Sequence, residues 1–144
     1  MDGITQLIAT AYTSAVHGDV DAACDALDAI GFSTDARQMY GVCCAFAEAG
    51  TRAVQLLDPA GFDPAKGEML GLSEITPGAA EANPHTAWAM RFFVAHANRD
   101  PEMTNALYAT ALQAGPQQFS DSVSALLLVV ASLGRSVVQA RRPS

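Results

Sequence analysis

The chain has 144 residues, is 50% hydrophobic and 16% charged, and carries a formal net charge of −7. That length suits a single domain with a genuine core. The acidic balance argues against a general nucleic-acid binder and against an anionic membrane surface, because both are themselves negative.

Much of the apolar share is alanine, which favours helix and lets helices approach closely. Ile4, Leu7, Ile8, Ala11, Tyr12, Ala15 and Val16 recur at helical spacing and predict an amphipathic helix. His17-Gly18 ends it, and Asp19 caps the next helix. Val20, Ala23, Cys24, Leu27 and Ile30 form the second apolar face, with Gly31 read as its stop. So short a link makes residues 4–30 a helical hairpin. Asp21, Asp25 and Asp28 share one face, with no Lys or Arg between Asp19 and Asp35. The alternation and central glycine of a calcium loop are missing, so the face is either solvated or a docking face for a basic partner.

Ser33 or Thr34 is the expected cap of a third helix from Asp35 to Ala49, facing inward through Ala36, Met39, Tyr40, Cys43, Phe46 and Ala47. Gly50 reads as a break, and Thr51 as the cap of a short segment that stops at Asp58-Pro59. Prolines and glycines then punctuate residues 59–83, predicting a long irregular segment with one helical turn after Asp63-Pro64. Asn83-Pro84 opens a helix carrying Ala87, Trp88, Met90, Phe92, Phe93, Val94 and Ala97, which Asn98-Arg99 ends. Asp100-Pro101-Glu102 opens another, lined by Met103, Ala106, Leu107, Thr110, Ala111 and Ala114 and closed by Gly115-Pro116.

The most apolar run, Val123–Leu133, follows. Ser120 or Ser122 can cap it, Asp121 suits its first turn, and Arg135, Arg141 and Arg142 suit its far end. Apolar residues on nearly every side predict burial all round. The run is shorter than the roughly 20 residues of a bilayer span, and Gly134 closes it, so it is expected to be the core helix around which the others pack.

Three junctions share one grammar: Val16 to Asp19, Glu48 to Thr51, and Ala97 to Asp100. Each is a helix, a break of one or two residues and a capping residue, which resembles the antiparallel hairpins of tetratricopeptide-type proteins. The capping positions are unevenly spaced, and that repeat's aromatic, Leu-Gly and Tyr pattern is missing. No family is assigned on this ground. The expected fold is all-α: one domain over residues 1–144, with six or seven helices in antiparallel hairpins, loosely repeat-like.

Chemistry is sparse in the sequence. No GxSxG, P-loop, GxGxxG or HExxH motif occurs. His17, His85 and His96 are not spaced as metal ligands with one another or with a cysteine, so no metal or cofactor is expected. Cys24, Cys43 and Cys44 form an odd set without CxxC spacing, and Asp2 stands where a signal peptide would be basic. Reduced, buried thiols in a cytoplasmic protein are the expectation. Trp88, Arg91 and Phe92 share a helix face, with His96 a turn further, and make the candidate partner-binding face.

The expected function is a non-enzymatic protein-interaction or scaffold domain, binding a protein partner or itself through one face of Val123–Leu133. The alternative is a small-molecule-binding protein or enzyme, with a pocket between helices gated by residues 59–83 and lined by Tyr40, Cys43, Trp88 and His96. A closed apolar cavity with convergent polar groups would favour the alternative, and an open apolar groove the interaction domain.

Overall fold

The computed structural model describes residues 3–57 and 83–140, and the irregular segment expected over 59–83 lies, but for Asn83, outside them. The described residues form α1 (Gly3–Val16), α2 (Val20–Ser33), α3 (Ala36–Leu57), α4 (Pro84–Ala97), α5 (Pro101–Gln113) and α6 (Pro116–Ala140). Helices α1 and α2 pair as one hairpin, and α4 and α5 as another. Helix α3 lies against α6 and α4, while α6 touches α1, α3, α4 and α5. Buried residues of all six helices form one hydrophobic cluster.

The predicted punctuation holds where it is local. The Asp19 side chain accepts from Ala22 N, Asn83 from His85 N and Thr86 N, and Asp100 from Met103 N. Each fills a backbone donor that a helix start leaves unpaired. Pro84 and Pro101 follow their caps directly, where the missing N–H costs nothing. Gly18 (φ 80°) and Gly115 (φ 103°) take left-handed conformations at helix ends. The cap of α3 is Asp35, rather than Ser33 or Thr34. Its carboxylate accepts from Gln38 N at 2.8 Å, and the Gln38 side chain accepts from Asp35 N at 3.0 Å, a reciprocal capping box. Thr34 instead closes α2, donating to Ile30 O.

Three expected glycine breaks do not occur. Helix α2 runs past Gly31 to Ser33, α3 runs through Gly50 to Leu57, and α6 runs through Gly134 to Ala140. Gly50 and Gly134 are close-approach points. A Cβ on Gly50 would lie 2.7 Å from Val130 Cγ1, and one on Gly134 would lie 2.8 Å from Val16 Cγ2 and collide with the Tyr12 hydroxyl. Two helices can cross there only because the side chain is absent.

Helix α6 departs from expectation in two further ways. It starts at Pro116, so Ser120 and Ser122 lie inside it. It is buried along one face and not all round: Val123, Leu126, Leu127, Val130 and Leu133 are covered, whereas Leu128 is 59% exposed. At 25 residues it is long and apolar enough to cross a bilayer by length and composition, so shortness no longer argues against a span. Its covered face is the floor of the bundle core. Arg135 does not serve its own helix end. It donates to Val16 O at 3.2 Å and Ala15 O at 3.0 Å, capping the last carbonyls of α1 from across the bundle.

Candidate functional site

The predicted face on α4 is divided by the structure. Trp88 and Phe92 point into the core, at 9% and 0% exposure. Their rings stack at 5.3 Å, and Trp88 Nε1 donates to Leu107 O of α5 at 2.8 Å. Arg91 is exposed and borders a shallow groove with Val94, Asn98, Arg99 and Met103. His96 turns toward α3, where its Nε2 lies 2.9 Å from Glu48 Oε1. Arg52 Nε and Arg99 Nη1 complete an ion cluster on that carboxylate, at 3.6 and 3.9 Å. Burial alone would raise the Glu48 pKa, but the His96 hydrogen bond and the charges of His96, Arg99 and Arg52 outweigh it and hold it below the usual value. The cluster ties the end of α4 to the middle of α3.

None of the grooves described among residues 3–57 and 83–140 brings Tyr40, Cys43, Trp88 and His96 together; Cys43 and Trp88 are buried and Tyr40 is half-buried against the core. Their surroundings form a chain of rings. Phe92 meets Tyr40 edge-on at 6.3 Å, Tyr40 meets Tyr108 at 5.2 Å, and Tyr108 meets Phe119 at 5.6 Å. The polar ends of the two tyrosines are satisfied: Tyr40 shares a 2.8 Å hydrogen bond with Thr104, and Tyr108 donates to Ala36 O. This corrects the expected face of α5. Thr104, Tyr108 and Ala111 are buried there, while Met103 and Ala106 are exposed.

Phe119, the last ring of that chain, opens onto a groove of about 710 Å³. The groove lies where the ends of α2 and α5 meet the starts of α3 and α6. Leu27, Met39, Phe119 and Val123 line it, with Leu112 41% exposed and Phe32 93% exposed. Among the described residues, Asp28 and Asp35 are its charged members, and no Lys, Arg or His lines it. Cys24 also borders it and is exposed, against the expectation of a buried thiol. Cys43 is buried, and burial pushes its pKa to about 12, so at neutral pH it is an inert thiol.

The groove is not legible in the sequence, because Gly31 reads there as the end of α2. Phe32 therefore falls on no helix face. A large aromatic residue out of register with the apolar stripe of α2 is the available signal.

A second cluster absent from the sequence reading joins α4 to α6. His85 Nδ1 lies 3.3 Å from Ser122 Oγ, and His85 Nε2 lies 3.8 Å from Asp121 Oδ2. The residue types are those of a hydrolase triad. The arrangement differs, because Asp121 and Ser122 are adjacent on one helix and Ser122 is only 6% exposed. It ties the start of α4 to α6. Among the described residues, no three His, Cys, Asp or Glu side chains gather as a metal site would require. No protein-family model matches the chain, and comparison with curated proteins and with solved structures gave no match.

Proposed function

We propose that this protein is a helical protein-interaction domain, and that it docks its partner in the groove between α2, α3, α5 and α6. One observation carries the reading: an open apolar groove of about 710 Å³ with Phe32 standing 93% exposed at its edge. A large side chain so exposed contributes nothing to the monomer's core, and aromatic anchors at a groove are what a docking partner buries. The groove is open and, among the described residues, its charged members are two carboxylates beside the hydroxyls of Thr34, Ser120 and Ser124, a pattern that suits a partner segment better than an enclosed small molecule. The Trp88 face enters this reading from behind. Trp88 and Phe92 support the ring chain whose outer end is Phe119.

Selection from a displayed library of helical peptides tests the proposal. Ligands enriched on the wild-type protein should be lost on Phe32→Asp, a change that leaves the fold intact because the side chain touches little. Absence of enrichment, or ligands indifferent to Phe32→Asp, would count against it.

Self-association is a second reading, favoured by Leu128 at 59% exposure beside Ala125 and Val129 on α6. It expects a concentration-dependent mass in light scattering that Leu128→Glu abolishes. A constant monomer mass removes it.

A further inference from the structure

The groove's chemistry narrows the occupant, given that the groove is the docking site. Four helix ends meet there, two carboxyl ends (α2 and α5) and two amino ends (α3 and α6), so their dipoles oppose one another in pairs. The local field is then set by side chains. Among the described lining residues those are Asp28 and Asp35, with Asp21 and Asp25 continuing the acidic face along the exposed side of α2. Between Asp19 and Asp35 there is no Lys or Arg, and the next cation along the chain, the exposed Arg37, is not among the groove's lining residues. The floor is apolar and aliphatic-aromatic. An amphipathic helix presents three to four apolar side chains over two turns, and laying such a face into a groove is a recurrent mode of recognition.

We propose that the occupant is a basic amphipathic helix. It sets its apolar face on Leu27, Met39, Phe119 and Val123, and places Lys or Arg side chains against Asp28 and Asp35. The aspartates act mainly on encounter rate and orientation, as charges at an interface edge do. The apolar floor holds the complex.

Two synthetic peptides test this on the full chain. Both carry the same leucine face, one flanked by lysines and the other by glutamates, and binding is read by fluorescence anisotropy. Alkylation of Cys24, mapped by mass spectrometry, reports whether the groove is covered. The expected result is a lysine-flanked peptide that binds with Kd tighter than roughly 100 μM and shields Cys24. Its preference over the glutamate peptide should be about tenfold, since exposed charge pairs each contribute modestly. The Asp28→Asn/Asp35→Asn variant should lose the preference, with the α3 cap retained because Asn caps as well as Asp. High salt should erase the preference too.

Equal binding of both peptides with Cys24 shielded overturns the basic occupant and leaves the interaction groove standing. Binding that leaves Cys24 open places the ligand elsewhere and overturns the inference. If neither peptide binds, the groove reading falls with it.

Discussion

A Cβ on Gly50 would sit 2.7 Å from Val130 Cγ1 and 2.8 Å from Phe93 Cε1, and both neighbours are fully buried. Neither can swing aside. Gly50→Ala should therefore destabilise the protein, with overpacking of about 1–3 kcal/mol exceeding the gain of about 1 kcal/mol in helix propensity. Gly41 lies in the same helix with nothing within 4 Å of its notional Cβ. Gly41→Ala should raise stability by about 0.5–1 kcal/mol. Urea unfolding of the two variants checks the pair, and a stabilised Gly50→Ala would refute the close-approach role. The contrast also explains a limit of the sequence. A glycine that breaks a helix and one that admits a neighbouring helix look alike until the neighbour is known.

At the scale of elements, α6 separates two leucines two residues apart. Leu126 is fully buried in the shared core, whereas Leu128 is 59% exposed. Leu126→Ala should cost about 2–5 kcal/mol, the usual range for a core leucine. Leu128→Ala should change stability by no more than about 0.5 kcal/mol, and chemical denaturation at one protein concentration measures both. If the helix were covered all round, as its composition suggested, the two costs would be alike. Composition alone misread it because the run offers apolar residues on every side, and only the positions of α1, α3, α4 and α5 choose the covered face.

What was legible in the sequence was local. The Asp19, Asn83 and Asp100 caps, and the prolines behind two of them, need only their own backbone, so the spacing of helices followed. The orientation of α5 was not legible. Its alanines sit on both sides, and the buried face is chosen by Tyr108, whose hydroxyl reaches Ala36 O on another helix. The candidate site was legible in part. Trp88 and Phe92 were found as a pair, but the groove their ring chain leads to depends on Phe119 and Phe32 converging from distant segments.

For the whole molecule, pH acts on the bundle from both sides. On the acid side, the Glu48 carboxyl is held below its ordinary value of 4.5 by His96, Arg99 and Arg52, against the opposing effect of burial. A depressed carboxyl contributes stability that is present above its unfolded pKa and lost as pH falls through the folded one. Thermal unfolding followed downward from pH 5 should show a smaller loss of Tm in Glu48→Gln than in the wild type. An equal loss would mean the ion cluster on α3 and α4 contributes nothing measurable.

On the alkaline side, the interior itself is the sensitive element. Burial pushes the Cys43 thiol from 9.0 to about 12 and, with the Cys43 and Asp35 charges, the Tyr108 phenol from 10.0 to about 12. Burial also raises Tyr40 and Tyr12. These groups are held neutral by the fold. Their contribution is fully present below the unfolded values and is lost as pH rises through the folded ones. Stability should therefore be flat up to about pH 9 and then fall toward pH 12, the window set by those values. Overall negative charge also grows with pH and loosens any acidic protein, so the wild-type curve alone does not isolate the phenol. Tyr108→Phe does. It forfeits the hydrogen bond to Ala36 O and should be less stable at pH 7 by about 0.5–1.5 kcal/mol. It no longer has a phenol to ionise, so its Tm should fall less steeply above pH 10, and the two curves should converge. Parallel curves would show that ionisation of Tyr108 does not drive the alkaline loss, and that general charge repulsion does.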